Sequence, residues 1–132
     1  MSIILPVTLS AAAAAALLNI WLMIRVGQVR NAAQVFVGDD GNETVIRRMR
    51  AHANFVESAP FVLILVALVE LTGRGEPWLA YVAGAYIIGR VLHAFGMDGG
   101  SFGKGRFIGT IVTLLTLAGL AVVSVLILIG VM

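Results

Sequence analysis

The sequence predicts an all-α fold, an integral membrane antiparallel four-helix bundle, and three observations lead there. First, 60% of the residues are apolar and only 12% are charged, with a mean hydropathy of +1.01. A water-soluble domain carries about 25% charged residues, so this chain has too few to coat a surface in water. Second, the apolar residues fall into four runs, each near the ~20 residues a helix needs to cross a ~30 Å hydrocarbon core. Third, the joints between the runs are short and polar, so successive helices run antiparallel.

The spans are expected at about residues 3–30, 44–71, 77–97 and 105–132, making one four-span domain of the 132 residues. The first run, Ile3 to Ile24, is interrupted only by Asn19. No basic stretch precedes it, so it reads as a retained span and not as a cleaved signal peptide. The second carries Arg50, His52, Asn54 and Glu57 in its first half. The third begins near Pro77, a residue suited to a first helical turn, and holds Arg90 and His93. The fourth has no charge from Phe107 onward.

Three joints separate them. Asn31–Thr44 contains Asp39-Asp40-Gly41-Asn42, a strong turn signal. Thr72–Glu76 reads as a tight hairpin. Asp98–Arg106 is rich in glycine, and Gly96, Gly99, Gly100, Gly103 and Gly105 read as a flexible joint; the Gly-Lys-Ser/Thr ending of a phosphate loop is absent. Basic residues crowd the ends that flank joints one and three: Arg25, Arg30, Arg47, Arg48 and Arg50 at the first, Lys104 and Arg106 at the third. Joint two has only Arg74. The excess of positive charge on cytoplasmic loops places joints one and three in the cytoplasm, with joint two and both termini on the opposite side. The sequon Asn42-Glu43-Thr44 then lies on the wrong side for glycosylation. Trp78 and Tyr81 suit an interfacial belt near joint two.

Charges inside a membrane helix cost about 2.5–3.5 kcal/mol each on insertion scales, so they turn toward a bundle interior or a cavity. At 100° per residue, Arg47, Arg50, Asn54, Glu57 and Phe61 share one stripe of the second helix. Tyr86, Arg90, His93 and Met97 share one on the third, and Asn19, Met23, Val26 and Arg30 one on the first. Arginines outnumber carboxylates among them, so a pocket built from these stripes prefers a ligand bearing carboxylates, which a guanidinium grips with two parallel hydrogen bonds. Glu57 remains to receive an ammonium group or to hold an arginine. Arg25 and Arg48 are expected to reach for lipid headgroups. His52 points away from the Glu57 stripe, so no His–Glu metal site is expected, and a net charge of +2 is too small to suggest a nucleic-acid partner. With no cysteine in the chain, any thiol chemistry must use a thiol that arrives with a substrate.

Arg50-Ala-His-Ala-Asn54-Phe-Val-Glu57-Ser-Ala-Pro60 resembles the second-helix signature of the MAPEG family, membrane-associated proteins in eicosanoid and glutathione metabolism. Gly27-Gln28-Val29-Arg30, Arg90-Val-Leu-His93 and the placement of Arg106 are similar to that family's other helices, in the same order. The resemblance spans nearly the whole chain. It implies a homotrimer with glutathione bound between neighbouring subunits toward the cytoplasmic side, held by Arg30, Arg50, Asn54, Glu57, Arg90 and His93. Arg106 would then lie against the sulfur as the catalytic residue, with a lipophilic second substrate entering from the membrane lipid. Met97, Phe107 and Thr110 depart from the family's polar or tyrosine positions, which argues against a prostaglandin or leukotriene synthase. The implied activity is glutathione transferase or peroxidase; the alternative is a non-enzymatic lipid-binding scaffold. A small multidrug transporter fits poorly, because the first helix carries no carboxylate.

Overall fold

The computed structural model describes residues 2–132, and among them four long helices account for nearly all regular structure: α1 (Pro6–Ala33), α2 (Glu43–Leu71), α3 (Trp78–Met97) and α4 (Lys104–Leu128). No strand occurs among the described residues. Each helix is long and apolar enough to cross a membrane. A single 3-10 turn at Gly100–Phe102 leads from α3 to α4.

The ends follow from local chemistry. Pro6 occupies the first turn of α1, where its missing N–H costs nothing, but Leu5 before it supplies no capping side chain. The cap comes from the far end of α2. Glu70 accepts the backbone N–H groups of Val7 (2.7 Å) and Thr8 (2.8 Å) and the Thr8 hydroxyl (2.7 Å), which also sets a negative charge against the positive end of the helix dipole. α1 stops where Gln34 turns left-handed (φ 58°) and returns its N–H to the Arg30 and Asn31 carbonyls. Asn42 opens α2 by accepting the Val45 N–H at 3.1 Å, so the sequon asparagine is a helix cap.

Joints one and three lie at one end of the bundle and joint two at the other. α1 pairs chiefly with α2 and α3 with α4, and the two hairpins meet through α2 and α3, each of which touches every other helix. Leu18, Leu22, Phe55, Val62, Val66, Val69, Leu79, Tyr86 and Leu120 fill the core. Phe61, Ile64, Ile88 and Leu115 stay outward, as lipid-facing residues do.

Glycines of α3 and α4 let the two helices touch, and at Gly96 and Gly105 the sequence reading missed this. A methyl group at Gly96 would sit 1.9 Å from the Arg106 nitrogen, one at Gly105 2.5 Å from the Leu92 carbonyl, and one at Gly109 2.4 Å from the His93 Cβ. Glycine there lets two backbones touch, so Gly96 and Gly105 are packing residues, not parts of a loose joint. Within that joint only Gly99 and Gly100 take the left-handed conformation (φ 86° and 72°).

Candidate functional site

The polar side chains singled out by the sequence, with their partners, fall into three groups between the middle of the bundle and the end that carries joints one and three. The first is a hollow on the outer face between α1 and α2, about 410 Å³ in volume and lined by Val26, Arg30, Met49, His52, Ala53, Val56 and Glu57. Arg30 is anchored at its rim: its guanidinium donates to the Val35 carbonyl (3.2 Å) and to the Gly38 carbonyl (2.6 Å). The His52 Nε2 is 2.8 Å from the Asn19 side-chain oxygen, which ties α2 to α1 below the hollow. Glu57 is exposed and lies 14 residues into a 29-residue helix, near mid-membrane depth. Neither it nor the exposed Arg50 has an ion-pair or side-chain hydrogen-bond partner among the described residues. The two are seven residues apart, about 10 Å along the axis, and do not touch.

The second group is enclosed between α2, α3 and α4. Arg90 is 2% exposed. Its guanidinium donates to the Thr113 hydroxyl at 3.0 Å and lies 3.3 Å from the His93 Nδ1. One turn away, the Tyr86 and Ser58 hydroxyls pair at 2.6 Å. Arg90 has no carboxylate partner among the described residues, and its Nε has no hydrogen-bond partner there. The stripe Tyr86-Arg90-His93 is therefore one face, as its spacing predicts, but it is the face that packs into the bundle.

The third group corrects the expectation for Arg25 and Arg48. Arg25 is buried, not lipid-facing. It is ion-paired to Asp98 at the end of α3, and its guanidinium lies over the rings of Trp21 (4.8 Å) and Phe95 (5.0 Å). Arg48 reaches the same carboxylate at 3.3 Å and donates to the Arg25 carbonyl at 3.0 Å. Arg47 donates to the Met97 carbonyl at 3.3 Å. Three arginines from α1 and α2 thus fasten the end of α3, just before the turn that delivers Arg106.

Of the residues singled out in the sequence, the fold brings Arg30 and Glu57 to one hollow, with Arg50 and the half-buried Asn54 on the neighbouring strip of α2. It seats Arg90 and His93 together inside the bundle, away from that hollow. Arg106 is exposed on α4, one helical turn from Gly109, which packs on His93. No single hollow among the described residues collects all of them. Sequence reasoning missed Ser58 and Thr113 of the buried network and Asp98 of the arginine clamp. Thr113 follows Gly109 by four residues on an apolar helix, and that spacing was a usable signal; Asp98 sat in a joint read as polar and flexible.

Fold and site define a polytopic membrane protein most of whose charged side chains are gathered toward one end of a four-helix bundle. The chain belongs to the MAPEG family, whose sequence profile matches residues 8–126. Among curated proteins it is similar to the inner membrane protein YecN of Escherichia coli strain K12 and of Escherichia coli O6:H1 strain CFT073. Each is 30% identical over 82 residues, covering 61% of this chain and 62% of theirs, so the match spans about three fifths of those relatives' length. No solved structure matches significantly.

Proposed function

We propose that this chain is a glutathione transferase of the membrane, with peroxidase activity toward lipophilic hydroperoxides, working as a homotrimer. The observation that carries the reading is the outward stripe of Arg50 and Glu57 beside the Arg30 hollow. A mid-membrane carboxylate facing hydrocarbon costs several kcal/mol unless something polar covers it. A neighbouring subunit that brings its own Arg106 end against this stripe, with a ligand between, would supply the cover. Glutathione has two carboxylates and one ammonium group, which suits Arg30 and Arg50 with Asn54 and Glu57. Arg90 and His93 lie one layer inside and would hold that wall in shape.

Arg106, whose guanidinium has no ion-pair or hydrogen-bond partner among the described residues, is the residue assigned to the sulfur. Lowering a thiol's pKa from about 8.5 to about 6.5 takes about 2.7 kcal/mol of preferential stabilisation of the thiolate, within reach of a guanidinium in a low-dielectric site. The sulfur's electron pair then forms the bond to the electrophile, and the leaving group departs with its own pair. Family membership supports the reading, and so does the clamp of Arg25, Arg47 and Arg48, which fixes the approach to Arg106. The departures at Met97 and Phe107, which offer no hydroxyl, favour the second reading, a lipid-binding scaffold without catalysis.

The test is thiolate absorbance near the ultraviolet edge on adding glutathione to detergent-purified protein, beside Arg106→Ala. The expected result is a thiolate signal that Arg106→Ala abolishes while calorimetry still detects glutathione. Absence of both signal and binding moves the protein to the scaffold class.

A further inference from the structure

Opposite the arginines, the structure holds a second hollow that the proposed chemistry does not use. It is an apolar cleft between α1 and α3, about 520 Å³ in volume and open to the hydrocarbon. Its walls are small residues: Ser10, Ala11 and Ala14 on α1, and Ala80, Ala83 and Gly84 on α3. A methyl group built at Gly84 would meet nothing within 4 Å, so here the small side chains leave room where those of α3 and α4 allow contact. The Ser10 hydroxyl donates to the Pro6 carbonyl at 2.8 Å and leaves the cleft without a polar demand of its own.

Toward joint two the cleft runs into a smaller, more enclosed hollow of about 320 Å³, and Pro6 and Val7 line both. That mouth contains two carboxylates, Glu70 and Glu76. Glu70 is committed to the first turn of α1. Glu76 is exposed and has no ion-pair or side-chain hydrogen-bond partner among the described residues. Arg74, the one cation of that joint, lines neither hollow; its carbonyl receives the Trp78 indole N–H at 2.9 Å.

An apolar slot at membrane depth that ends in an acidic mouth at the interface is complementary to one kind of molecule, and volumes of 300–1,000 Å³ are those of small-ligand pockets. We propose that the α1–α3 cleft binds lipophilic organic cations, with the hydrocarbon body against Ala14 and Gly84 and the positive charge at Glu76. The site is independent of the thiol reading. It occupies the first half of α3, from Ala80 to Ile88, whereas the arginine clamp holds that helix's last residues.

The probe is tetraphenylphosphonium, with tetraphenylborate as the anion of the same shape. Binding is measured by equilibrium dialysis on the full chain in nanodiscs of zwitterionic lipid, where acyl chains already compete for the cleft. Gly84→Leu and Ala14→Leu each fill the slot from a different wall, and Glu76→Gln removes the charge at the mouth. Saturable phosphonium binding that either leucine weakens at least about tenfold, that Glu76→Gln weakens about fivefold, the size of a half-screened ion pair, and that the borate does not displace, supports the site. Phosphonium binding indifferent to both leucines, or absent altogether, overturns it. Binding lost with the leucines but untouched by Glu76→Gln and matched by the borate overturns its selectivity for cations. A thermal unfolding curve for each variant separates lost binding from lost fold, and if one leucine variant unfolds, the other carries the test.

Discussion

Gly96→Ala should be among the most destabilising single-methyl changes this chain can receive, because the new carbon would lie 1.9 Å from the Arg106 backbone nitrogen, whereas ordinary contact begins at 3.4 Å. The shortfall of 1.5 Å falls on backbone, which cannot swing aside as a side chain does, so α3 and α4 must part along the rigid seam that also holds Gly105 and Gly109. Overpacking of a tight interior costs about 1–3 kcal/mol, and a clash with main chain belongs at the top of that range or beyond it. Gly84→Ala supplies the comparison. It adds the same methyl to the same helix in open space, where alanine is better than glycine by about 0.5–1 kcal/mol. The pair should therefore move stability in opposite directions, by about 3 kcal/mol or more in total. The assay is reversible unfolding in mixed micelles, titrated with a denaturing detergent and followed by circular dichroism. Equal shifts in the two variants would refute the assignment of Gly96 to a backbone contact.

Asp98→Asn leaves the buried Arg25 guanidinium without its carboxylate and removes the same partner from Arg48. Since Asp98 is itself one third exposed, the loss should be about 2 kcal/mol, below that of a fully buried pair, read in the same unfolding titration; a loss under about 0.5 kcal/mol would mean the clamp is ornamental. Ser58→Ala strands the Tyr86 hydroxyl in the bundle interior and should cost about 1–2 kcal/mol. Tyr86→Phe leaves Ser58 its bond to the Phe55 carbonyl and should cost less. The double variant should cost clearly less than the sum, because the second change removes the stranded partner. Additive losses would show that the two hydroxyls do not depend on each other.

The outline of the fold was legible in the residues because membrane helices announce themselves by length and composition. The four runs and the polar joints correspond to α1 to α4 and their connections, and the stripes on α2 and α3 fall on single faces as the helical period requires. The direction of each stripe was not legible. Periodicity groups Tyr86, Arg90 and His93 but does not tell whether they face a pocket or a bundle, since both bury polar groups; the answer depends on Thr113 and Ser58, on other helices. Arg25 was misread for a related reason. Its partner Asp98 lies 73 residues away in a joint that looks polar and flexible, and long-range ion pairs leave no mark on local sequence. The glycines misled in the opposite direction, because the same residue serves a turn at Gly99 and a backbone contact at Gly105.

The Glu70 cap has a consequence for the order of synthesis. A ribosome makes Thr8 62 residues before the carboxylate that satisfies it. Until the last turn of α2 arrives, the leading amides of α1 must be held by water or headgroups at the membrane surface, which draws that end toward the interface and away from the hydrocarbon. Arrival of Glu70 closes the hairpin from its far end, so the α1–α2 pair can seat as a unit before α3 emerges. On that account the α1–α2 hairpin, and not α1 alone, is the unit whose leading amides are paired within the chain, as hydrocarbon requires.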